Sequence, residues 1–179
     1  MIEWFDIGIL NFFQSIANPV LDDVFIWITF LGDSGILWIV LGCIMAATKK
    51  YRKYGLALLI TMVIGFLIGN LALKNLIARP RPCWRNSEIV LLISNPKDFS
   101  FPSGHSMHSF IGATMIWFAN RKWGIAAFIL AGLIAVSRIY LQVHYPTDVL
   151  AGVLLGIVLA CGVHLLICKS KRGEICIRK

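Results

Sequence analysis

The chain has 179 residues, 58% of them hydrophobic and 15% charged, with a formal net charge of +8. Its long, nearly unbroken apolar runs exceed what a soluble single domain carries, so a water-soluble architecture is excluded. The positive charge does not indicate nucleic acid, because the basic residues fall between apolar runs, where they mark membrane topology.

In chain order, Ile2 to Ala17 mixes Trp4, Phe5, Phe12 and Phe13 with Glu3, Asp6, Asn11 and Gln14, a pattern of an interfacial helix rather than a span. The acidic start gives no sign of a cleaved signal. Asn18-Pro19 breaks this segment, and Leu21 to Leu31 is apolar but short. Residues 2–31 therefore read either as one kinked crossing or as an interfacial helix followed by a short crossing. Gly32-Asp33-Ser34 is expected as a turn with a helix N-cap, after which Gly35 to Ala47 runs inward to Lys49, Lys50, Arg52 and Lys53.

The next helix, Tyr54 to Ala78 with its apolar run Leu56 to Leu73, returns outward and stops at Arg79-Pro-Arg-Pro82, where alternating prolines end it. An outer loop follows over residues 79–101, within which Glu88 to Ser94 is expected as a short surface helix. Phe101-Pro-Ser-Gly-His105 opens a helix that runs inward through Met107 to Ala119, and Trp123 to Ser137 returns outward. Pro146 suits a first helical position, so the last helix begins there and passes through Val149 to Cys168. Residues 169–179 form a cytoplasmic tail. Spans of this length approach the roughly 20 residues needed to cross the hydrocarbon, and each must satisfy its own backbone. The fold expected is all-α: a polytopic membrane bundle of about six helices in a single domain over 1–179. Gly65-x-x-x-Gly69 and Gly152-x-x-x-Gly156 read as helix-packing positions.

Eleven of the seventeen basic residues, in the three groups 49–53, 121–122 and 169–179, fall on one face if the spans alternate. The positive-inside rule makes that face cytoplasmic, placing the C-terminus inside and the opposite helix ends outside. Lys74, Arg79, Arg81, Arg85, Lys97 and Arg138 fall on the other face, against the rule, and need another reason. The five cysteines show neither a disulfide framework nor metal-ligand spacing.

Three polar clusters gather at the outer helix ends: Lys74 with Arg79 to Pro82, Ser103 to His105, and Arg138 with His144 and Asp148. A lone arginine at a helix end is usually a snorkelling anchor, but three cations beside two histidines describe an anion site. The helix N-terminus at Ser103-Gly104 adds free amides that favour phosphate, although such a pair alone is commonly only a cap. His144, neutral at one ring nitrogen, can attack phosphorus; Asp148 can hold the other ring N–H; His105 can protonate the leaving oxygen. His108, one turn below His105, reads as a buried, hydrogen-bonded histidine, and His164 as structural.

Lys74-x6-Arg81-Pro82, Pro102-Ser-Gly-His105 and Ser137-Arg138-x5-His144-x3-Asp148 resemble the three-part signature of the type 2 phosphatidic acid phosphatase superfamily. The resemblance covers Lys74 to Asp148 and, with the helix pattern, most of the chain. It implies a six-helix membrane core and a metal-independent phosphatase without cofactor, in which His144 forms a phosphohistidine, Asp148 orients it and His105 is the general acid. Lys74, Arg81, Ser103, Gly104 and Arg138 would then bind the phosphoryl oxygens. A site at membrane depth without a soluble domain suits a lipid substrate in the bilayer. Undecaprenyl diphosphate is the favoured substrate, with phosphatidylglycerophosphate, phosphatidate and lipid A as alternatives. Arg79, Arg85 and Lys97 are candidates for a second phosphate. A noncatalytic transporter or sensor would keep the cations without needing the full His105, His144 and Asp148 set.

Overall fold

Helices begin where the sequence supplies caps. Asn18 Oδ1 accepts from the Val20 and Leu21 amides, and Pro19 occupies the first position of the helix that follows. Asn120 Oδ1 does the same for Lys122 and Trp123. The computed structural model describes residues 2–86 and 89–170, and no strand occurs among them. The elements are α1 (Ile2–Ser15), α2 (Pro19–Phe30), a 3-10 turn (Asp33–Gly35), α3 (Ile36–Ala47), α4 (Arg52–Gly65), a π-helical stretch (Phe66–Leu73), α5 (Lys74–Ile77), α6 (Pro82–Arg85), α7 (Gly104–Ala119), α8 (Arg121–Tyr140) and α9 (Pro146–Ser170).

Four helical stretches among the described residues are long and apolar enough to cross a membrane: Pro19–Ala47, Arg52–Arg85, Arg121–Tyr140 and Pro146–Cys168. The first decides between the readings of residues 2–31. Tyr140 OH donates to Asp22, Arg138 donates to Thr29, and Gly32 lies against Ile134, so α2 descends antiparallel to α8. The chain then continues the same way, because Gly35 lies by His108, Trp38 donates to Ser109 3.1 Å away, and Gly42 packs on Leu58 and Leu59. Gly32 to Gly35 is thus a break within one crossing, not a reversal at its end. Ser34 (φ 51°) and Gly35 (φ 66°) both take left-handed backbone there, which no helix continues through. Residues 2–15 form the separate helix, lying across the end of the bundle. Gln142 donates to the Leu10 carbonyl, and Phe13 meets Tyr140 edge to face.

Around the fully buried Trp38, Leu58, Met107, Ile111, Met115 and Ile134, helices α3, α4, α7, α8 and α9 close a core, with α7 at its centre. Large apolar side chains such as Ile44, Ile60, Leu154 and Leu165 point outward, the arrangement expected of a surface solvated by lipid. At the end carrying Arg52, Lys53 and Arg121, His164 stacks on Phe118 and Tyr54, so it serves packing. The expected surface helix over Glu88 to Ser94 is not observed: residues 89–94 have no helical backbone, and Glu88 lies outside the described residues. So does most of the tail, since α9 runs on to Ser170 and 171–179 lie beyond the description.

Candidate active site

Each polar cluster reaches the same end of the bundle by a local device. Below Lys74 the α4 helix widens into i→i+5 bonding over Phe66–Leu73, which sets Asn70 and Lys74 toward the interior. Arg81 stands in extended backbone between two prolines, immediately before α6. The Ser103 hydroxyl caps α7, accepting from the Ser106 amide at 3.4 Å and the Ser106 hydroxyl at 2.9 Å. At the end of α8 the Arg138 carbonyl accepts from both Val143 and His144 amides, folding the 141–145 loop back beneath the site. Asp148 in the first turn of α9 receives the Tyr145 amide on Oδ2, and its carbonyl receives the Ser103 amide at 3.0 Å.

These elements enclose a cavity of about 310 Å³ whose wall includes Lys74, Arg81, Gly104, His105, Arg138 and His144. Lys74, Arg81 and Arg138 are each 5% exposed or less, and the buried Arg138 Nε has no protein partner. Three buried cations with a single carboxylate, Asp98, across two of them leave net positive charge on the wall, which favours an anion in the cavity. Ser103 is the exception among the expected phosphate ligands: it is fully buried and its hydroxyl is engaged in the cap rather than on the wall. His108 lines the cavity one turn along from His105. Among the described residues no cluster of acidic, histidine or cysteine side chains could hold a metal.

The contacts of His144 fix its chemistry. Arg81 Nη1 lies 3.1 Å from Nε2, and a guanidinium can only donate, so Nε2 keeps its lone pair and the ring proton sits on Nδ1. Nδ1 faces Ser100 Oγ at 3.4 Å and Asp148 Oδ2 at 3.8 Å, while Ser100 donates to the same Asp148 oxygen at 2.5 Å. The serine therefore stands between the histidine and its carboxylate. Burial first, then the charges of Arg81, Arg138 and Lys74, push the His144 imidazole well below its usual pKa, favouring the neutral ring.

Three residues complete the site that sequence motifs did not single out for it, and Arg79 takes a different part from the one its cluster suggested. Asp98 pairs with Lys74 and lies 2.6 Å from Arg81 Nη2, placing a carboxylate across the two cations. Ser100 bridges His144 and Asp148. Asp33 contacts His105 Nε2 at 2.8 Å. Arg79 binds Asp148 Oδ1 at 2.5 Å, Asp6 Oδ2 at 2.7 Å and the face of Tyr145, tying α1 to the back of the site. This corrects the expectation of a second phosphate on Arg79: the guanidinium is saturated by two carboxylates. With Arg85, which pairs with Glu3 at 3.6 Å, it lines a different cavity of similar volume that contains neither His105 nor His144.

A wall of buried cations that presents an anion to a neutral imidazole, at the end of a bundle of membrane-spanning helices, places this chain among the membrane-embedded phosphatases. It belongs to the PAP2 superfamily, whose family model matches residues 50–172. Undecaprenyl-diphosphatase of Sulfolobus acidocaldarius is 37% identical over 121 residues, 67% of this chain and 58% of the relative's length. Phosphatidylglycerophosphatase B of Bacillus subtilis is 37% identical over 158 residues, covering 80% and 74%. Among solved structures, the transmembrane PAP2-type phosphatidylglycerolphosphate phosphatase of Bacillus subtilis superposes with a TM-score of 0.77 at 32% identity, over 94% of this chain and 87% of that one. LpxE of Aquifex aeolicus gives 0.79 at 25% identity, over 89% and 94%.

Proposed function

We propose that the protein hydrolyses a lipid phosphate or diphosphate without a metal, through a phosphohistidine on His144. The observation that carries this reading is the Arg81 N–H on His144 Nε2, which marks Nε2 as the unprotonated nitrogen while Nδ1 faces Ser100 and Asp148; when phosphate binds, that N–H passes to a phosphoryl oxygen and frees the Nε2 lone pair. Phosphate oxygens take the places around Lys74, Arg81, Arg138 and the α7 amides at Gly104; Ser103 holds that turn in shape. Nε2 attacks phosphorus, the bond to the leaving oxygen breaks, and His105 gives that oxygen a proton. His105 then takes a proton from water, whose oxygen attacks the phosphohistidine, releasing phosphate and restoring His144.

The favoured substrate is undecaprenyl diphosphate, supported by the undecaprenyl-diphosphatases of Sulfolobus acidocaldarius and Bacillus subtilis among the relatives. Phosphatidylglycerophosphate is the second reading, favoured by the longer match to the Bacillus subtilis phosphatase. Because the basic groups at 49–53 and 121–122 lie at the opposite end, the site faces outside and the C-terminus the cytoplasm. Phosphate release in detergent from undecaprenyl diphosphate, phosphatidylglycerophosphate, phosphatidate and lipid A, with EDTA present, tests the proposal. EDTA-resistant release that is fastest with undecaprenyl diphosphate is expected. No release from any lipid would sink the catalytic reading, and preference for another lipid would replace the substrate.

A further inference from the structure

The break between α2 and α3 falls at the depth of the cavity, and its packing shows why it is there. A Cβ on Gly32 would lie 2.9 Å from the His105 ring, so this glycine lets the backbone close onto the second motif, while Gly35 supplies the left-handed backbone (φ 66°) of the turn. The turn between them delivers Asp33 Oδ1 to within 2.8 Å of His105 Nε2. The groups of other elements that face His105 are Lys74 of α5 and Arg138 of α8, both cationic, with His108 on its own helix and His144 across the cavity. Among the described residues, Asp33 is the only carboxylate directly on that ring.

We infer that Asp33 is a positioning residue for His105, holding the imidazole by one nitrogen and favouring its protonated form against burial and two neighbouring cations, so that the other nitrogen has a proton to give. This inference rests on the reading of His105 as general acid. A carboxylate on one ring nitrogen fixes its orientation and favours the imidazolium, which is the form required for departure of the leaving oxygen. After transfer, the same contact steadies the neutral ring as base toward water. Burial and the charges of Arg81, Arg138 and Lys74 hold the nucleophile neutral; Asp33 works the other way on the acid, and this difference in surroundings divides the roles of the two rings.

The test is a set of kcat and KM profiles from about pH 5 to about pH 9 with undecaprenyl diphosphate and phosphatidate, for wild type, Asp33→Asn, Asp33→Glu, His105→Asn and His144→Ala. For Asp33→Asn the expected result is a fall in kcat of about tenfold, little change in KM, and an alkaline limb moved about one pH unit lower. The loss should be larger on phosphatidate, whose leaving group is an alkoxide, than on the diphosphate, whose leaving group is a phosphate. Asp33→Glu keeps a carboxylate on the turn and should retain the wild-type alkaline limb; it also serves where the Asn variant does not fold. An Asp33→Asn enzyme with wild-type kcat and profile, or an Asp33→Glu enzyme whose limb moves as far as that of Asn, overturns the inference while inactive His105→Asn and His144→Ala leave the phosphatase reading standing. Wild-type rates in His105→Asn and His144→Ala would overturn that reading itself.

Discussion

His144 must stay unprotonated to attack phosphorus, and burial among Arg81, Arg138 and Lys74 secures that. The same arrangement has a stability cost on the acid side. The unfolded chain protonates this ring near pH 6.5, so its contribution is complete above about pH 6.5 and is lost as pH falls below it. Asp98 behaves in the other register. Burial would raise its pKa, but the hydrogen bonds and charges of Lys74 and Arg81 outweigh it and hold the group at about 2. Its contribution is complete above about pH 4 and is lost as pH falls toward that folded value. Because its carboxylate spans two cations that a phosphate would use, Asp98→Asn is expected to bind inorganic phosphate severalfold more tightly, read as a lower inhibition constant. The variant should also melt lower at neutral pH, with a flatter melting profile at the acid extreme. Unchanged phosphate affinity would show that Asp98 and phosphate do not compete for Lys74 and Arg81.

At the scale of elements, the site depends on how closely α9 lies against α7. A Cβ at Gly152 would fall 2.5 Å from the Ser103 carbonyl, whereas at Gly162 nothing lies within 4 Å. Gly152→Ala should therefore cost about 1–3 kcal/mol of stability by overpacking, and lower activity by pushing Ser103 and Gly104 off the cavity. Gly162→Ala should be near neutral. Thermal unfolding in detergent separates them, and equal melting temperatures would remove the close approach from the account. The glycine spacing that marks this contact is legible in sequence, as are the caps at Asn18 and Asn120. The single crossing over 19–47 is not, because two 12-residue apolar runs separated by Gly-Asp-Ser-Gly look like elements joined by a reversal. Only the packing of Thr29 on Arg138 and of Trp38 on Ser109 shows that both run the same way. Residues 89–94 mislead for a related reason: an apolar run reads as amphipathic helix, yet here it lies as irregular chain with Leu91 and Ile93 against Tyr140 and Val143.

Across the whole molecule, residues spread from Asp6 to Asp148 converge on one end of the bundle. Motifs made part of that legible: His144 and Asp148 lie four residues apart across the start of α9, and Ser103 to His105 sit at the start of α7, so short sequence spacings bring each set together. Asp33, Asp98 and Ser100 escape such reading because each meets its partner across a long sequence separation, and a single aspartate or serine in a turn has no local pattern that names its partner; Arg79 is visible in its cluster, but its two carboxylate partners are not. The first helix belongs to the same assembly, since Asp6 shares Arg79 with Asp148. All these contacts serve one claim, that Nε2 of His144 takes the phosphoryl group. Rapid quench with undecaprenyl diphosphate labelled in its terminal phosphate tests it most directly. The expected result is a transient protein-bound phosphate that is acid-labile and base-stable, maps to His144, accumulates in His105→Asn and is absent from His144→Ala. Turnover at wild-type rate in His144→Ala, or label trapped on another side chain, would contradict it.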